Sequence, residues 1–170
     1  MADQNLLEPQ WDAQLRGPPF SSRVMRLGAR AGAQELGVSL YEIDPGGAVS
    51  PYHAHHGNEE LLIVVTGNPQ LRTPEGIRNL KPGDTVAFPR GPKGAHRVSN
   101  PGRAPTRVLM FSTMNFPEVA EHLDTGTLLA MTGPGAGRAF PSDGERPFPE
   151  LLLKGMHAAT EHERRAPGPS

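Results

Sequence analysis

Between residues 36 and 112, apolar and polar positions alternate in short runs, and each run is stopped by a turn signal. Leu36-Gly-Val-Ser-Leu-Tyr-Glu-Ile43 has the two-residue period of a strand, and Asp44-Pro-Gly-Gly47 ends it. The same reading places strands over 48–55, 60–66, 70–73, 77–80, 85–88, 95–99 and 106–112. Residues 60–66 are the most apolar and β-branched of these, as expected of a buried strand. Between the runs stand His56-Gly57-Asn58, Gly67-Asn68-Pro69, Pro74-Glu75-Gly76, Pro82-Gly83-Asp84, the Gly/Pro loop 90–94 and Asn100-Pro101-Gly102. Short strands at even spacing predict a small antiparallel barrel.

The flanks lack this rhythm. Residues 1–34 read as an N-terminal arm, anchored by Trp11, with a strand at 24–27 and a turn at 28–33. Beyond the barrel at 35–115, a C-terminal extension over 116–163 is expected to pack on it. Within the extension the sequence suggests a short helical turn at 117–122, a last edge strand at 127–131 and a loop over 132–149. Leu152, Leu153 and Met156 give 150–162 helical spacing, and 164–170 reads as a disordered tail. The fold class is therefore all-β, with a short N-terminal arm and a C-terminal helical extension.

Composition supports this picture. Of 170 residues, 20 are Gly and 19 are Pro, which favours many tight turns over long helices. The formal net charge is −1 and the basic residues are scattered, so no basic stripe argues for a nucleic-acid partner. Cysteine is absent, which leaves His and carboxylates as the ligands for a transition metal. The N-terminus lacks the basic and apolar regions of a signal peptide, and Leu61–Val65 is too short to span a bilayer. The expectation is a cytoplasmic protein with no membrane partner.

Three of the seven histidines fall in Pro51-Tyr-His53-Ala-His55-His56-Gly-Asn-Glu59-Glu60. Alternation puts His53 and His55 on one face of a strand, and the turn at Gly57-Asn58 can return Glu60 beside them. Burying two imidazoles and a carboxylate together without a cation carries a large desolvation penalty. His96, from a separate strand, would close the site. A register one residue different would substitute His56 or Glu59, which alternation otherwise turns to the opposite face. His122, His157 and His162 read as surface or hydrogen-bonded residues.

The spacing of these residues carries a family resemblance. Gly47, five residues, His53-Ala-His55, four residues, Glu60, six residues and Gly67 resemble the first cupin motif. Gly83, five residues, Pro89-Arg-Gly91, a spacer, His96, three residues and Asn100 resemble the second. The spacer holds four residues (Pro92–Ala95) where the standard pattern has two. The resemblance implies a double-stranded β-helix jelly roll and one divalent transition metal (Mn, Fe, Ni, Co, Cu or Zn) on His53, His55, Glu60 and His96. It implies a menu of activities: dioxygenase, decarboxylase, isomerase, lyase or plain ligand binding.

Inward-facing candidates around the metal are Tyr41, Ile43, Val64, Phe88, Val98, Met110 and Ser112. Ile43, Val64 and Val98 read as core packing, leaving Tyr41, Phe88, Met110 and Ser112 as pocket candidates. The expected ligand is a small oxygen-chelating metabolite. A dioxygenase-like enzyme is the first reading, an isomerase-like one the next, and a non-catalytic binding or sensing module the alternative. Small barrels of this kind pair through edges or arms, so a homodimer is expected.

Overall fold

The computed structural model describes residues 4–16 and 20–144. In chain order come β1 (Ala13–Leu15), β2 (Ser22–Met25), the short helix α1 (Leu27–Ala31), β3 (Gly37–Ile43), β4 (His53–His55), β5 (Glu60–Thr66) and β6 (Gln70–Thr73). The chain continues through β7 (Gly76–Asn79), β8 (Thr85–Phe88), a 3-10 turn (Pro92–Gly94) and β9 (Arg97–Ser99). Last come β10 (Thr106–Ser112), β11 (Glu118–His122), β12 (Thr127–Gly133) and β13 (Ala136–Phe140).

A six-stranded sheet runs β1-β2-β3-β10-β5-β8, and its pairings are antiparallel. A four-stranded sheet runs β13-β12-β11-β4, and a three-stranded one β7-β6-β9. The two smaller sheets meet at the bridges Ala48↔Ser99 and His53↔His96. At the second bridge the backbone bonds are reciprocal: His53 N–H donates to His96 O at 3.1 Å, and His96 N–H to His53 O at 2.8 Å.

Alternation determines which side chains enter the barrel. On β5 the buried positions Leu62 and Val64 share a face with Glu60, and on β10 Val108 and Met110 share one with Ser112. Leu62, Val64, Val108 and Met110 pack with Ile43, Leu71, Leu80, Phe88 and Val98 as one apolar core. At about 25 cal/mol per Å² of apolar surface, each fully buried Leu or Ile here contributes roughly 1.5–3 kcal/mol.

The opposite face of β3 is covered by the N-terminal segment. Met25 pairs with Leu40, and both are buried. The Glu42 carboxylate accepts hydrogen bonds from Arg23 and, at 2.7 Å, from Arg107 Nε. The Arg23 guanidinium lies 4.5 Å from the Trp11 ring centre, so Trp11 anchors the arm through a cation–π contact.

Several sequence expectations need correction. Residues 117–122 form no helical turn but strand β11, paired with both β4 and β12. The strand at 127–131 is neither last nor an edge, because β13 follows it within the expected loop 132–149. The strand expected over 48–55 shortens to His53–His55, since Ser50-Pro51 bends the chain and Pro51 has no N–H to donate. Near the N-terminus the strand is Ser22–Met25, α1 replaces the expected turn, and Ala13–Leu15 pairs as an additional strand. The helix expected at 150–162 and the tail at 164–170 lie outside the described residues.

Candidate metal centre

His53 and His55 project from β4, Glu60 begins β5, and His96 immediately precedes β9. The turn at His56–Asn58 folds Glu60 back beside the imidazoles. His53, Glu60 and His96 each place one donor atom within 4.8 Å of the others. His55 completes the group, with its Nε2 3.1 Å from His53 Nε2 and 3.4 Å from Glu60 Oε2. His96 Nε2 lies 3.3 Å from the same oxygen.

The outer nitrogen of each ring has an acceptor. His53 Nδ1 lies 3.0 Å from the Pro51 carbonyl, and His96 Nδ1 lies 2.9 Å from the Gly94 carbonyl. A carbonyl can only accept, so both Nδ1 atoms carry the hydrogen and both Nε2 lone pairs face inward. His55 Nδ1 lies 3.2 Å from Glu118 Oε1. Phe88 stacks on His96 with ring centres 3.8 Å apart and planes at 12°, which fixes that ring from behind.

Burial makes this set suited to a cation. Desolvation, then the neighbouring His55, lowers His53 to about 4; desolvation, then His53, lowers His96 to about 3. Both rings are therefore neutral at pH 7 and able to donate lone pairs. Desolvation also raises the Glu60 carboxyl, partly offset by His55. The Nε2 atoms of His53 and His55 stand 3.1 Å apart, near enough for one ion to be shared between them. Donors about 2.1 Å from a shared ion stand roughly 3.0–3.4 Å apart, and the His53–His55, His55–Glu60 and His96–Glu60 pairs, at 3.1, 3.4 and 3.3 Å, have that spacing. The donor set thus fits one divalent transition metal.

Sequence reasoning missed Glu118. It is 1% exposed, on β11, and bonds both His55 Nδ1 and the Asn58 amide. Asn58 Oδ1 in turn accepts from Asn115 N–H and the Thr113 hydroxyl. Gly57 leaves room for this carboxylate: a Cβ there would lie 2.5 Å from Glu118 Oε2. The usable signal was Asp124-Thr-Gly126 between two β-compatible runs, a hairpin pattern that makes 118–122 a strand.

Two cavities flank the donors. One, about 210 Å³, is lined by Val49, Ser50 and Val98 together with the His/Glu cluster. The other, about 230 Å³, is lined by Ser39, Asn58, Ser112, Met114, Phe116 and Met131. Tyr41, Met110, His55 and Glu60 border both. Of the pocket candidates, Tyr41, Met110 and Ser112 line this space, whereas Phe88 does not: it is packed behind His96. Val98 borders the first cavity, while Ile43 and Val64 are core. Burial, then the Glu60 charge, raises the Tyr41 phenol.

His56 faces outward and pairs with Glu121 at 3.3 Å, and Glu59 is exposed. The His122 ring stands 6.4 Å from that of His53. A larger groove of about 550 Å³ along β7 and β8 takes in Phe88 but none of the four donors.

Comparison with known proteins agrees with this geometry. Residues 39–112 match the cupin domain family. Auxin-binding protein ABP19b of Prunus persica is 40% identical over 67 residues, covering 35% of this chain and 32% of that protein. Germin-like protein subfamily 3 member 3 of Arabidopsis thaliana is 36% identical over 83 residues, covering 45% and 38%. The chain thus spans about a third of the length of these curated relatives. A sugar phosphate isomerase of the cupin superfamily from Silicibacter pomeroyi superposes with a TM-score of 0.67 at 28% identity, covering 74% of this chain and 80% of that one.

Proposed function

This chain carries a cupin domain, and from that premise we propose that it is a metal-dependent enzyme acting on a small oxygen-chelating metabolite. The observation that carries the reading is the three imidazoles with their outer nitrogens tied and their Nε2 atoms turned toward one carboxylate beside open cavities. His53, His55, Glu60 and His96 would hold one Mn, Fe, Ni, Co, Cu or Zn ion. Such an ion supplies Lewis acidity or, for a redox-active metal, electron transfer to dioxygen. The chain's own residues bind and shield: Tyr41 and Met110 border the donors on both sides, and Phe88 keeps His96 in place.

Oxygenase-type chemistry is favoured over isomerisation because a proton shuttle is poorly supplied. Beyond the donors and Glu118, which is occupied by His55 and Asn58, the cavity walls offer, among the described residues, only the Tyr41 phenol and serine hydroxyls as proton carriers. The isomerase reading has one observation in its favour, the 28% identity to a sugar phosphate isomerase. Against it, no Lys or Arg lines either cavity among the described residues to meet a phosphate.

The test is metal analysis of the purified protein, followed by oxygen uptake and sugar-phosphate interconversion assays on the iron- and manganese-loaded forms. Substrate-dependent oxygen uptake supports the first reading, and interconversion without uptake supports the second. Tight binding of a small chelator with no product in either assay would mean a binding module.

We also propose a homodimer formed through the N-terminal arm. Strand β1 is an exposed sheet edge and Leu15 is 57% exposed, a combination that invites pairing with another chain. Light scattering after size exclusion showing a monomer would overturn it.

A further inference from the structure

The second cavity differs in chemistry from the first. Its wall holds three methionines, Met110, Met114 and Met131, together with Phe116. Neither lysine nor arginine contributes to it among the described residues, and both of its carboxylates, Glu60 and Glu118, are committed to histidines. Thioethers are polarizable and adaptable, and they make favourable contacts with aromatic rings. About 150 Å³ of dry cavity is enough for benzene, so 230 Å³ accommodates a ring.

The wall is built with some strain. Met114 has φ of 53°, the left-handed region that non-glycine residues avoid at a cost of roughly 1–2 kcal/mol. The Asn115 N–H is held by Asn58 Oδ1 at 2.6 Å, which secures that turn. Glycine at position 37 leaves room for that side chain where it stands, since a Cβ there would fall 2.7 Å from Met114 Sδ. Two local concessions thus place one thioether over the cavity.

We propose that this chamber receives an uncharged, ring-bearing arm of the substrate whose oxygens meet the donor cluster. The substrate class is therefore a small oxygen chelator with an aromatic or similarly flat apolar arm. This rests on the metal-centre reading above. The shared border of Tyr41, His55, Glu60 and Met110 lets one molecule span both regions.

The test compares two chelators that differ only in the arm, acetohydroxamate and benzohydroxamate, titrated into the cobalt(II)-loaded protein and followed by its visible spectrum. Benzohydroxamate is expected to bind about tenfold more tightly or better, as burying a phenyl ring requires. Met131→Trp should remove that preference while leaving cobalt content and acetohydroxamate affinity unchanged. If that variant does not fold, Met114→Ser should reduce the preference without altering acetohydroxamate binding. Equal affinities for the two chelators on cobalt-loaded protein would overturn the chamber assignment alone. A protein that takes up no cobalt would overturn the metal-centre reading and this proposal with it.

Discussion

The Glu118 carboxylate, on β11, holds Nδ1 of His55, on β4, at 3.2 Å, across a pair of strands in which Ala120 stands opposite His55. A carboxylate behind a histidine fixes the ring's orientation and raises its basicity toward a metal. Glu118→Gln keeps the shape but presents one donor and one acceptor to two groups that both donate. Metal affinity measured by calorimetry is expected to fall about 10–100-fold. Unchanged affinity would mean that the ring is held by β4 alone.

His96→Ala is expected to leave the protein with metal at background, measured by elemental analysis after dialysis. It should also loosen Phe88, whose stacking partner disappears, and lower stability by about 1–3 kcal/mol in urea. Full metal content in this variant would show that His96 is not part of the site.

Stability of the metal-free protein is expected to fall as pH drops from 7 toward 4. An unfolded histidine titrates at 6.5, whereas burial holds His53 at about 4 and His96 at about 3. Below pH 6.5 the unfolded chain therefore takes up protons that the folded one refuses, which favours unfolding. The raised Glu60 carboxyl opposes this over part of the range above 4.5, but it is one group against two. The net loss is on the order of a few kcal/mol. Urea midpoints collected from pH 7.5 to 4.5 check it, and a flat profile would contradict the assigned burial.

Glu42→Gln is expected to destabilise the protein by about 1–3 kcal/mol without changing metal content, because two guanidinium groups lose their shared carboxylate. A thermal melt alongside metal analysis separates the two effects. Loss of metal would mean that the arm side of β3 is coupled to the site.

The barrel strands, and the shared face of His53 and His55, were legible in the sequence because they obey the two-residue period, whereas His96 was reached only through the spacing of the second motif. Glu60, Leu62 and Val64 share a face, and Gly57, Gly67 and Gly83 punctuate the runs. Strand β11 was misread from its own pattern because its polarity is inverted, and only the hairpin signal at Asp124-Thr-Gly126 beyond it could have revealed it. Glu118 and Ala120 are buried, while Val119 is 40% exposed, so Pro-Glu-Val-Ala-Glu-His imitates a helical turn. Strand β13 is exposed along its whole length and leaves no alternation to detect. Phe88 was rightly read as inward, but its role depends on the path of the loop 90–94, which returns His96 onto its ring. Glu118 could not be paired with His55 from spacing, since 62 residues separate them and only the β4–β11 register joins them.

The reciprocal backbone pair of His53 and His96 lies at the seam where two sheets join. An ion held by those two side chains acts as a rivet through that seam. Holding the barrel closed and holding the ion then become one equilibrium. Each tenfold excess of free metal over its dissociation constant adds about 1.4 kcal/mol to folding. If the site is loaded as proposed, stripping its metal would then loosen the joint between the two sheets as well as empty the centre.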